Sequence, residues 1–167
     1  MSAGERGTDD VATDATARQV ILVPADIDAV SRAIRDLVTR ARDAEPRVRT
    51  WAIIGDLATG DGLSENDSVV EHDRVGRLAV RLAVDKTLCV GQSRAVRALH
   101  QGAVMEGSWG DEARLVATVD DAAATLADDE WRPAPDDMVL VAGTDPALAD
   151  VAAGLGERRA TNEESGE

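Results

Sequence analysis

The chain has 167 residues, a formal charge of −14 and 44% hydrophobic residues, enough apolar material for one folded domain and too much for wholesale disorder. Such acidity argues against nucleic acid or an anionic membrane surface as partner, since both reward basic patches. With no Phe, no Tyr, three Trp and one Cys, the core must be aliphatic and no internal disulfide can form.

Residues 1–18 are small, polar and acidic; they read as a disordered lead-in without the apolar core of a signal peptide. QVILVP (residues 19–24) is a first short β segment. Ile27, Val30, Ile34, Leu37, Val38 and Ala41 then recur at helical spacing behind Asp26, a suitable N-cap. RTWAIIG (49–55) is a second buried strand, followed by a polar loop and a helix. Ser68 and Glu71 have capping-box spacing at that helix start, and Val75, Leu78, Ala79 and Leu82 form its apolar stripe. TLCVG (87–91) is the third strand, and Ser93 opens a third helix. ARLVATV (113–119) is the fourth strand, with Asp120 beginning the helix after it. MVLVAG (138–143) is the fifth, leading to a helix with Asp145 as N-cap and Pro146 at its first position. Residues 156–167 read as a disordered tail, so a single domain spans 19–155. No apolar run is long enough to cross a bilayer, so no membrane insertion is expected and the cytoplasm is the default location.

Continuous apolar strands alternating with amphipathic helices predict an α/β fold: a Rossmann-like, mostly parallel sheet with helices on both faces. Ligands of such sheets bind at the strands' carboxyl ends. Here those ends are Gly55-Asp56, Gly91-Gln92 and Gly143-Thr144.

Nucleotide motifs fail on specific residues. A P-loop needs a lysine after a glycine-rich turn, but the only lysine, Lys86, opens a strand with no glycine before it. Gly60 and Gly62 lack both the leading strand and the third glycine of a dinucleotide fingerprint, and read as turn glycines. His72 lies at the edge of an apolar face and reads as a satisfied, semi-buried histidine before a functional one. His100 reads as a cap at the third helix's end, and Cys89 as core. No His, Cys, Asp or Glu grouping has metal-ligand spacing. The pairs Asp120-Asp121, Asp128-Asp129 and Asp136-Asp137 read as caps and solvated surface. Ser, His and Asp are present without a nucleophile-elbow motif to organise them.

One more signal comes from longer blocks. GAVMEGSWGDEA (102–113), RTWAIIGDL (49–57), EHDRVGRLAVRL (71–82), KTLCVG (86–91) and DDMVLVAG (136–143) stand in one order along residues 20–155. Together they resemble the C-terminal domain of the Mur ligases, in particular the actinobacterial type that adds D-alanyl-D-alanine to the UDP-muramoyl tripeptide. The resemblance implies a lid domain. In the intact ligases a central domain carries the P-loop, and the lid closes over the nucleotide and helps hold the incoming dipeptide. The N-terminal and central domains have no counterpart in the sequence.

The shared domain also departs from the family's pattern. Pro24, Asp26 and Ile27 stand where two asparagines and a proline are expected, and Leu57 replaces a Met. The last strand leads into Ala142, Gly143, Thr144 and Asp145 where Lys, a small residue, Ser and Arg are usual, which removes one cation and reverses another. The resemblance thus implies a catalytically degenerate relative, a pseudoenzyme with no catalytic residues. It would serve as a stand-alone binding or regulatory module of peptidoglycan precursor synthesis, with a Mur ligase or other cell-wall protein as partner. The alternative is a lid acting in trans with a separate ATP-binding chain; only then would ATP and Mg enter, and alone the domain needs no cofactor. A third reading is a small-molecule binding domain. In each case the candidate ligand-binding residues are Gly55, Asp56, His72, Gly143 and Thr144.

Overall fold

The five apolar runs become the five strands of one sheet in the computed structural model, which describes residues 19–107 and 112–165, with side chains to residue 156. The strands are β1 (Val20–Leu22), β2 (Thr50–Ile54), β3 (Lys86–Val90), β4 (Ala113–Val116) and β5 (Met138–Ala142). All pair in parallel, in the order β1-β5-β2-β3-β4. Strand periodicity splits the core in two. Ala52, Ile54, Cys89, Leu140 and Ala142 face one layer, while Trp51, Ile53, Leu88, Val139 and Val141 face the other. The first layer is built by α1 (Ile27–Asp43), α2 (Glu65–Arg81) and α3 (Arg94–Met105); the second by α4 (Val119–Ala127), a 3-10 turn at Asp129–Trp131 and α5 (Ala147–Ser165). The expected α/β architecture, parallel and covered on both faces, is the observed one.

Local caps explain where the helices begin. Asp26 Oδ1 accepts the Ala29 N–H at 2.8 Å, Ser93 Oγ accepts that of Val96 at 3.1 Å, and Asp145 Oδ1 that of Ala147 at 3.0 Å. Two starts differ from the sequence reading. The α2 capping box is Ser64 with Asp67, not Ser68 with Glu71; an earlier Ser-x-x-acid pair wins because Glu65 to Asp67 extend the helix by a turn. Thr118, not Asp120, caps α4, leaving Asp120 and Asp121 in the first turn, where negative charge meets the positive end of the helix dipole. At the other end, α5 runs on through 156–165, residues assigned above to a tail; good helix formers follow Gly156 and no proline stops them.

Two further residues sit elsewhere than expected. His100 lies five residues before the end of α3, half-buried; desolvation lowers its pKa against an opposing hydrogen bond to the Ala113 backbone, and it caps nothing. Asp137 is buried, 4% exposed, not solvated surface. In GAVMEGSWGDEA, Gly102 to Met105 finish α3, Glu106 receives Arg81 and Arg77, and Gly107 turns with φ +123°. Hydrogen bonding from Arg81 holds the Glu106 carboxyl below its ordinary pKa range. Trp109 of the same block, which from sequence most simply packs against the sheet edge, lies outside the described residues, as do residues 1–18.

Candidate functional site

In an open parallel sheet, a crevice forms where helices from neighbouring strands leave to opposite faces. That divergence occurs on both sides of β5, whose following helix α5 lies on the face opposite α1 and α2, and again between β3 and β4; the β2–β5 junction is the one that gathers the expected residues. Gly55-Asp56 and Gly143-Thr144 sit there side by side: the Gly55 N–H bonds Ala142 O at 2.8 Å, and the Thr144 N–H bonds Asp56 O at 2.8 Å.

The crevice itself is small. A cavity of about 80 Å³ is lined by Gly55, Asp56, Gly91, Thr118, Asp145 and Leu148, among others. A Cβ on Gly143 would come within 2.2 Å of Leu148 Cδ1, and one on Gly55 within 3.0 Å of the same atom. The two glycines therefore admit the first turn of α5 over the strand ends, and Leu148 occupies much of the space that a ligand would need.

Asp56 is engaged as well. Its Oδ1 accepts the Ser93 hydroxyl at 2.5 Å, and Gly91, with φ +143°, gives the backbone turn that brings Ser93 there. Ser93 Oγ in turn accepts the Val96 N–H, so one hydroxyl caps α3 and ties it to the end of β2. Ser93→Ala removes both bonds and is expected to cost about 1–2 kcal/mol, read from the shift in urea midpoint. An unchanged midpoint would mean that the cap contributes nothing.

His72 does not join this group. It is fully buried, with Nε2 accepting the Leu57 N–H at 3.0 Å and Nδ1 2.8 Å from Ser68 O. Because an amide can only donate, the ring proton must lie on Nδ1, where it donates to that carbonyl. Both nitrogens are spent on fastening the β2–α2 loop to its own helix. Of the five expected residues, the structure thus gathers Gly55, Asp56, Gly143 and Thr144, and withdraws His72 beneath Leu57. Sequence reading missed the Ser93–Asp56 bond, since nothing local signals a partner 37 residues away.

A larger concavity of about 480 Å³ lies beside the β1 end, between the loops before α1 and α2. The Ile27 N–H bonds Ala58 O at 3.1 Å and the Ala58 N–H bonds Ala25 O at 2.8 Å, closing its floor. Its charged lining is acidic: Asp26, Asp28, Asp61 and Glu71. Across all five loops at the strands' carboxyl ends (23–26, 55–64, 91–93, 117–118 and 143–146) there is no Lys or Arg. Arg94, first residue of α3, turns instead to Glu65 at 3.4 Å and Asn66 at 3.3 Å.

Other chemistry is silent. Burial pushes the Cys89 thiol up, far from reactive thiolate behaviour. Among the described residues, no group of three or more His, Cys, Asp or Glu could hold a metal. No helix among them is long and apolar enough to cross a membrane.

The chain is 50% identical over 116 residues to the UDP-N-acetylmuramoyl-tripeptide–D-alanyl-D-alanine ligase of Mycobacterium leprae, covering 66% of this chain and 21% of that enzyme. It is 39% identical over 139 residues to the enzyme of the same name from Mycobacterium tuberculosis, covering 77% of this chain and 25% of the relative. The chain thus spans a quarter or less of the length of the relatives it matches. No family profile matches it, and no solved structure does. Identity of this degree makes this chain a homologue of the Mur ligases, and its single parallel sheet is consistent with a C-terminal-domain fragment of such an enzyme.

Proposed function

We propose that this domain is a non-catalytic binding module of peptidoglycan precursor synthesis, acting on a Mur ligase or another cell-wall synthesis protein. The observation that carries the reading is the charge of the strand-end loops: no Lys or Arg, and the carboxylates of Asp26, Asp56, Asp61 and Asp145. Phosphoryl chemistry depends on cations that offset charge on the nucleotide and on the acyl phosphate. Loops whose only charges are carboxylates repel the same groups, and the nearby Arg94 is turned to Glu65. ATP and Mg would therefore be held by a ligase partner and not by this domain. A lid acting in trans is less well supported, because His72 is consumed inside the fold and Asp56 already holds Ser93.

The test mixes the purified protein with a UDP-N-acetylmuramoyl-tripeptide–D-alanyl-D-alanine ligase of its own cell, intact or trimmed of its C-terminal domain. We expect no ATP turnover by the protein alone, saturable binding to the intact ligase with a change in its rate, and no rescue of the trimmed one. Rescue would establish the lid in trans instead. Turnover by the protein alone, or no binding to the intact ligase, would overturn the proposal.

A further inference from the structure

We propose that the groove between α1 and α2 binds a small organic anion bearing phosphate or carboxylate groups. The two helices splay above the sheet and leave a cavity of about 470 Å³, within the usual range of small-molecule sites. Arg74, Arg77 and Arg81 recur along α2 at spacings of three and four, so they form one stripe. From α1, Ser31 and Arg35, one turn apart, face the same cavity. Its floor is apolar, made by Ile27, Val75 and Leu78.

This concentration of guanidinium groups is not the background of the chain, whose formal charge is −14. Nor is it wholly consumed by internal ion pairs. Arg35 is exposed and makes no hydrogen bond or ion pair among the described residues. The Arg74 side chain is 69% exposed, and its pairing with Glu71 at 3.0 Å is a solvent-screened contact within one helix. Arg77 and Arg81 are anchored, to Asp73 and Glu106 and to Glu106 respectively, and form a fixed wall. One unpaired guanidinium, Arg35, and one held only by a solvent-screened pair, Arg74, beside two fixed ones can take a multiply charged anion through forked hydrogen bonds. Asp28 and Glu71 also line the cavity; Glu71 is already paired with Arg74, and Arg77 and Arg81 lie roughly 9 and 15 Å along α2 from it at 1.5 Å per residue. The apolar floor suits an anion with an organic body.

The experiment titrates the full chain with pyrophosphate and, separately, with citrate at constant ionic strength, followed by calorimetry. Saturable binding of either is expected, and the stronger of the two identifies phosphate or carboxylate as the preferred group. Arg35→Gln with Arg74→Gln should weaken it by about tenfold or more. Both residues are exposed, so an unchanged melting temperature is expected and separates lost binding from lost folding. Arg97→Gln, on α3 and outside the groove, should leave affinity unchanged. Absence of saturable binding by both anions, or an equal loss in Arg97→Gln, overturns the assignment.

Discussion

Asp137→Ala is expected to destabilise the protein by about 3–5 kcal/mol, the range for removing one partner from a buried charged network. Asp137 Oδ2 accepts three hydrogen bonds: from the Trp51 indole N–H at 2.8 Å, the Ala134 N–H at 2.8 Å and Arg49 Nη2 at 2.9 Å. The Arg49 side chain is 48% exposed, so water replaces that bond at small cost. The loss comes mainly from the other two. Trp51 is fully buried and packs edge-on against Trp131, with ring centroids 5.8 Å apart. Without the carboxylate, the buried indole N–H loses its acceptor, an orphan that costs about 1–3 kcal/mol, and the Ala134 amide loses this bond as well. The same carboxylate joins β2, the loop before β5 and the second core layer, so the damage is not local. Asp137→Asn keeps the shape and one acceptor oxygen and should lose less. Urea unfolding followed by tryptophan fluorescence checks the order wild type, Asn, Ala; an Ala variant within about 1 kcal/mol of wild type would refute the network's importance.

Gly76→Ala should cost about 3 kcal/mol or more, at the upper end for overpacking, because the obstruction is backbone. A Cβ on Gly76 would lie 2.0 Å from Leu99 O and 3.0 Å from the Ala103 amide nitrogen, both in α3. Reciprocally, a Cβ on Gly102 would lie 2.3 Å from Asp73 O in α2. The two glycines let α2 and α3 meet backbone to backbone, and no rotamer change can relieve an added methyl. Elsewhere the same substitution has the opposite sign. Gly154 in α5 has nothing within 4 Å of its ideal Cβ, so Gly154→Ala should stabilise by about 0.5–1 kcal/mol through helix propensity and a less flexible unfolded chain. Denaturation midpoints of the two variants give the comparison. A Gly76→Ala variant as stable as wild type would mean that the helices can separate without loss.

The contrast explains why GAVMEG, at the end of α3, is written as it is. Gly102 is required by a contact with Asp73, 29 positions earlier in the chain, and Gly107 by a turn with positive φ. Neither reason is visible locally, where glycine only lowers helix propensity. The same limit applied to the acids. Asp26 was legible as a cap because its acceptor role is satisfied within three residues. Asp137 looked like surface beside Asp136, since its donors Arg49 and Trp51 come from the other end of the chain.

The candidate site divides along the same line. The strand ends at Gly55-Asp56 and Gly143-Thr144 could be placed from sequence, because parallel topology puts carboxyl ends on one edge whatever the side chains do. His72 could not be assigned that way. Its spacing put it at the edge of an apolar face, and only the fold of the β2–α2 loop over it decided that both ring nitrogens would be used internally. Nor could the arginine groove be read from sequence, since its two walls belong to separate helices and their separation depends on how those helices splay.

By itself the sequence determined the order of the elements, the parallel sheet, a two-layer and mostly aliphatic core, the absence of a P-loop lysine and the kinship with the Mur ligases. These follow from periodicity, composition and blocks of neighbouring residues, all of which are encoded over short stretches of chain. Only the tertiary structure decided that β5 inserts between β1 and β2, that Leu148 fills the crevice this creates, that Asp137 is a buried acceptor, and that four arginines share one groove. The physical reason is one of range: capping and amphipathicity act over three or four residues, whereas burial, the pairing of charges and the shape of a cavity are set by residues that only the folded chain makes neighbours.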